Sequence, residues 1–121
     1  MKWLKDRFYY AFQGVFYALK EDKSIRLQGV FGLLAIFAGV IFRLSKQEWI
    51  WVGFCITLVL CLEFINSCIE RIVDYISLEK NEQAKHIKDM AAGATLIACL
   101  FALVVAFIIF IPKIKEVFNV L

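Results

Sequence analysis

The chain has 121 residues, of which 62% are hydrophobic, and its 14 Lys+Arg against 11 Asp+Glu give a formal net charge of +3. Soluble domains are roughly 45–50% apolar. A single domain this small has too little interior to hide the excess, so a soluble monomer is excluded, and so is disorder, which needs low hydrophobicity.

The positive charge is mild and scattered, which argues against nucleic acid as a partner. In chain order, Leu4, Phe8, Ala11, Phe12, Val15 and Leu19 share one helical face, and Lys2, Asp6, Tyr10, Gln13, Tyr17 and Lys20 the other. This pattern predicts an amphipathic helix over about 3–20, lying in a membrane interface. Charges spread through Met1–Lys20 with no small-residue cleavage site speak against a signal peptide. Three spans are expected next, since about 20 residues cross a bilayer. The first covers about 25–44, with Arg26 and Arg43 snorkelling to the two interfaces. The second covers about 49–71 and carries Glu63, Asn66 and Glu70 inside it. The third covers about 89–111, with Pro112 expected to end the helix. The whole, 1–121, reads as one all-α membrane domain.

Basic residues set the expected orientation. Lys2, Lys5, Arg7, Lys20, Lys23, Arg26, Arg71, Lys80, Lys85 and Lys88 fall on one side, against Arg43, Lys46, Lys113 and Lys115 on the other. By the positive-inside rule the N-terminus and the 71–89 loop face the cytoplasm and the C-terminus lies outside. Cys55, Cys61, Cys68 and Cys99 sit in apolar runs without C-x-x-C spacing, and His86 is the one histidine. They read as small hydrophobes rather than metal ligands.

The informative segment is Glu63–Asp74. Glu63, Asn66, Glu70 and Asp74 are spaced 3, 4 and 4 apart, which makes one polar stripe on a helix. Glu63 lies roughly 21 Å along the helix from Trp49 and roughly 12 Å from Arg71. A carboxylate at that depth is costly unless paired or protonated, which marks it as a functional candidate. The stripe alone is open to several readings: catalysis, a proton or cation path, or hydrogen-bonded glue between helices. Lys88 and Asp89 stand at the start of the third span, followed by the small run Ala91–Ala94, and Glu21 and Asp22 precede the first span. Carboxylates at Glu21 or Asp22 and at Glu70 are hard oxygen donors suited to Mg²⁺. With an ammonium at Lys88 they make a set that could neutralise nucleotide phosphates. No Walker or protein-kinase Gly-rich motif is present.

The run Glu63-Phe-Ile-Asn66-Ser67-Cys-Ile-Glu70-Arg-Ile-Val-Asp74, followed by Lys88-Asp89-Met-Ala-Ala92-Gly, resembles the small bacterial membrane lipid kinases, the family of prokaryotic diacylglycerol kinase and undecaprenol kinase. The resemblance covers nearly the whole chain. It implies a homotrimer in the bacterial cell membrane, with sites at subunit interfaces on the cytoplasmic side, and transfer of phosphate from ATP to a membrane lipid alcohol. It implies that Glu63 is the general base for the lipid hydroxyl, supported by Asn66 and Asp74, and that Glu70 is a Mg²⁺ ligand. Tyr10, Lys88 and Asp89 would contact the nucleotide, and Ala92 the lipid. Where the family has a second metal-binding Glu, this chain has Asp22 with Glu21 beside it. Asp22 is the expected ligand because it keeps the spacing to Arg26, and Glu21 is the alternative. The Ile109–Lys113 ending looks more like the undecaprenol branch, so undecaprenol is the expected substrate and diacylglycerol the alternative. Outside the resemblance, the competing classes are a small cation- or proton-handling subunit and a purely structural membrane protein. Lys88 beside the stripe speaks against the cation path, which gains nothing from an ammonium.

Overall fold

A computed structural model describes residues 1–77 and 79–120, with the side chain of Val120 left aside. Its four helices are α1 (Lys2–Glu21), α2 (Lys23–Ile41), α3 (Lys46–Ile76) and α4 (Glu82–Val120), and no strand occurs among the described residues. Helices α2, α3 and α4 are long and apolar enough to cross a membrane, so the protein is a multi-pass membrane protein. α1 buries none of its residues, and Phe8, Phe12 and Phe16 on it stay exposed. Its apolar face is uncovered by the rest of the chain.

One residue, Asp22, separates α1 from α2. Its extended backbone breaks the helix, and its Oδ1 accepts a hydrogen bond from the Ile25 N–H at 3.1 Å, an N-cap for α2. Arg26 folds back and donates to the carbonyls of Leu19 and Lys20 at 2.9 and 2.7 Å, satisfying groups that the end of α1 leaves without helical partners.

At the other end of the bundle, α2 stops at Ile41, before the expected Leu44. Arg43 takes the left-handed conformation (φ 54°), the Leu44 N–H donates to Gly39 O and the Arg43 N–H to Val40 O. This is a Schellman motif, with Leu44 packed back on Gly39. Ser45 and Glu48 then start α3 as a reciprocal capping box. Trp49, the first residue of the expected second span, packs inward. A Cβ on Gly39 would lie 2.6 Å from its ring, so the glycine is the notch that admits the indole. Leu44, Val52 and Ile109 form the buried core here, with Trp49 and Phe110 packed against it.

Pro112 does not end the last helix, which runs unbroken to Val120. Proline removes one backbone donor, but the helix is held on both sides of it. Ile109 is buried in the core, and Lys113 pairs with Glu48 at 3.2 Å. α3 and α4 run antiparallel and make the most extensive interhelical contact, and α2 lies along α3. Leu33, Ile97 and Ile108 remain two-thirds or more exposed, a surface suited to lipid or to other subunits rather than water.

Candidate active site

The stripe on α3 forms as its spacing requires. Glu63 is only 8% exposed, and Asp22 and Glu70 are its charged neighbours. Asn66 Nδ2 donates to Glu70 Oε1 at 3.4 Å, while Asn66 Oδ1 is buried without a partner. Asp22 is brought to the stripe by Ser67, whose hydroxyl donates to Asp22 Oδ2. Burial, the largest single influence, pushes the Asp22 carboxyl up. The Ser67 bond, the N–H groups of Ile25 and Ser24 and the Arg71 charge outweigh it and hold the carboxyl below its ordinary value. Asp22 is thus an ionised group at neutral pH. Glu21, at the end of α1, is exposed.

A second tie fastens α1 to α3. The Arg71 guanidinium donates to the Tyr17 hydroxyl at 3.1 Å and lies 5.2 Å from the centre of its ring. The ties from Ser67 and Arg71 fix the α1–α2 junction against the stripe.

On α4, Lys88 pairs with Asp74, the last acid of the stripe, rather than with Glu70, because the antiparallel register sets residues 74 and 88 level. Asp89 pairs with Lys85 at 2.6 Å on the exposed side. These four residues line an open pocket of about 740 Å³ between the ends of α3 and α4. Ala92, one turn on from Lys88, is exposed. Tyr10 is not brought to the stripe within its own chain. It lies about 18 Å back along α1 from Asp22, is 66% exposed and meets only Tyr9 among aromatic rings.

Beyond Glu63, an apolar cavity of about 470 Å³ opens between α2, α3 and α4. Val59, one turn from Glu63, lines it, as do Gln28 and Cys99. Gln28 Nε2 lies 3.9 Å from Cys99 Sγ, and Cys99 is within the electrostatic reach of Glu63. Along α3, Glu63 thus lies one turn from the edge of the apolar cavity at Val59 and roughly 15 Å from the edge of the polar pocket at Val73.

Among the described residues, no three or more His, Cys, Asp or Glu side chains gather closely enough to hold a metal ion. The donor set still suits Mg²⁺, which takes one or two carboxylates and fills its shell with phosphate oxygens and water. Asp22 and Glu70, both beside Glu63, supply that number.

Sequence reasoning missed the Ser67–Asp22 and Arg71–Tyr17 ties and the place of Gln28. An Asp at a one-residue helix break, three before a free N–H, was a readable cap signal. The two side-chain ties join positions 45 and 54 residues apart and leave no local pattern.

The sequence matches the family model described as Prokaryotic diacylglycerol kinase over residues 9–110. It is 27% identical to the undecaprenol kinase of Bacillus subtilis over 106 residues, 88% of this chain and 86% of that protein. It is 32% identical over 106 residues to a diacylglycerol kinase of Synechocystis, of which it spans 61%. With the diacylglycerol kinase of Escherichia coli strain K12 it shares 30% identity over 95 residues, 78% of each chain.

Proposed function

The chain belongs to the prokaryotic diacylglycerol kinase family and is a membrane lipid kinase, and on that premise we propose that it transfers phosphate from ATP to the hydroxyl of diacylglycerol at the Glu63 stripe. Diacylglycerol is favoured over the undecaprenol expected from the sequence by the family description and by the higher identity to diacylglycerol kinases, 32% and 30% against 27%. Undecaprenol stays as the second reading, because the Bacillus subtilis undecaprenol kinase matches over 86% of its own length.

One observation carries the assignment of roles: a buried carboxylate one turn from Val59 at the edge of an apolar cavity, with the acids Asp22 and Glu70 as its charged neighbours. The cavity suits a lipid chain and would bring its hydroxyl to Glu63, which takes the proton as the oxygen attacks the terminal phosphorus and the bond from that phosphorus to the bridging oxygen breaks, releasing ADP. Asp22 and Glu70 would hold Mg²⁺, which when bound neutralises charge on the phosphates. Lys88 and Asp89 face the pocket where the nucleotide would lie, Asn66 and Asp74 support the polar layer, and Ala92 leaves room for lipid. α1 lies in the cytoplasmic interface, which its uncovered aromatic face and the excess of basic residues on that side support. A homotrimer with sites between subunits accounts for the exposed apolar faces and for Tyr10, which its own chain keeps away from Glu63.

The test is phosphate transfer from labelled ATP by the purified protein in mixed micelles, with diacylglycerol and undecaprenol at equal mole fraction. A higher kcat/KM for diacylglycerol is expected. The reverse preference moves the substrate to undecaprenol, and transfer to neither overturns the site assignment.

A further inference from the structure

Among the described residues, two buried side-chain polar atoms lack a hydrogen-bond partner: Asn66 Oδ1 on α3 and Thr95 Oγ1 on α4. Thr95 is 5% exposed, and nothing in the lipid-kinase assignment so far uses it. Unpaired buried polar groups are costly and rare, so two in one small bundle call for a common cause.

Their placement supplies one. Lys88, Thr95 and Cys99 are spaced 7 and 4 apart and share one face of α4. Lys88 meets Asp74, and Lys113 meets Glu48 at the other end of the pair, so α4 advances by about one residue as α3 recedes by one. Counting seven residues from each member of the Lys88–Asp74 pair sets Thr95 level with Ser67, the neighbour of Asn66. The Ser67 hydroxyl already donates to Asp22. Asn66 Oδ1 is an acceptor without a donor, and the Thr95 hydroxyl is a donor without an acceptor, in the same layer.

We propose that Thr95 is a positioning residue whose hydroxyl donates to Asn66 Oδ1 through one bridging water, and so holds the Asn66 amide with its Nδ2 toward Glu70. The amide has two flips of nearly equal shape, and only hydrogen bonds choose between them. With Thr95 in place, the flip that donates to Glu70 is the one retained. The carboxylate is then aimed by a relay that begins on the neighbouring helix. The relay deepens the lipid-kinase reading and rests on it for the role of Glu70, but the Thr95–Asn66 bond itself does not.

The experiment has two arms. In metal-free protein in detergent, Thr95→Val, Asn66→Ala and the double variant are compared by thermal unfolding. Coupling is expected, with the double variant's shift in Tm about 2–5 °C smaller than the sum of the single shifts. In the kinase assay, Thr95→Val should raise the Mg²⁺ concentration for half-maximal rate about three- to tenfold, the net worth of one hydrogen bond. kcat at saturating Mg²⁺ should stay near wild type, and Thr95→Ser, which keeps the hydroxyl, should restore the Mg²⁺ requirement. Additive Tm shifts overturn the bond whether or not the protein is a kinase. Coupled shifts with an unchanged Mg²⁺ requirement in an active enzyme overturn the action through Glu70.

Discussion

Asp22 holds the α1–α2 break and the proposed metal position at once, and the two roles can be separated. Asn caps a helix about as well as Asp, so Asp22→Asn should keep the Ile25 bond and nearly the wild-type Tm while removing the anion. Activity should fall at least about tenfold, from the loss of a hard ligand. Glu21→Gln, on an exposed side chain at the end of α1, should stay near wild type in the same assay. A severe defect in Glu21→Gln with a mild one in Asp22→Asn would move the ligand to Glu21. Glu70 is tested by a different readout. Glu70→Ala should weaken use of Mg·ATP and recover in part at high Mg²⁺, because one carboxylate and the phosphates can still hold the ion. An unchanged Mg²⁺ dependence would leave Glu70 with a structural role only.

At the scale of the elements, the spans could be read from uncharged runs and the stripe from its 3-4-4 spacing, because both are local to one helix. The α2 stop was not legible. A Schellman motif usually announces itself by glycine at the left-handed position, and here that position is Arg43. Arg43→Gly should therefore stabilise the protein by about 1 kcal/mol, the cost of the left-handed backbone for a residue with a Cβ, measured by thermal unfolding in detergent. Gly39→Ala should do the reverse. The added methyl meets Trp49 and Leu44 inside a packed core, and overpacking of this kind costs about 1–3 kcal/mol. Pro112 misled in the same way. Its effect on a helix depends on what anchors the turns around it, and the Glu48–Lys113 pair links positions 65 residues apart.

At the scale of the whole molecule, little is buried within one chain, and the apolar surface left open is suited to a bilayer. Of the site, Glu63, Glu70, Asn66 and Asp74 were legible as one stripe, and Lys88 as its cation. The partner of Lys88 was not, since the α3–α4 register follows from packing along both helices rather than from either sequence alone. The account stands most directly on Glu63, the one buried carboxylate among the described residues. Its measurement is phosphate transfer from labelled ATP to diacylglycerol or undecaprenol by Glu63→Gln, beside wild type, with Mg·ATP binding followed in parallel. Glutamine keeps the size but cannot take a proton, so transfer should fall by about 10²–10⁴ while Mg·ATP binding holds. Turnover near that of wild type would contradict the assignment of Glu63 as the base.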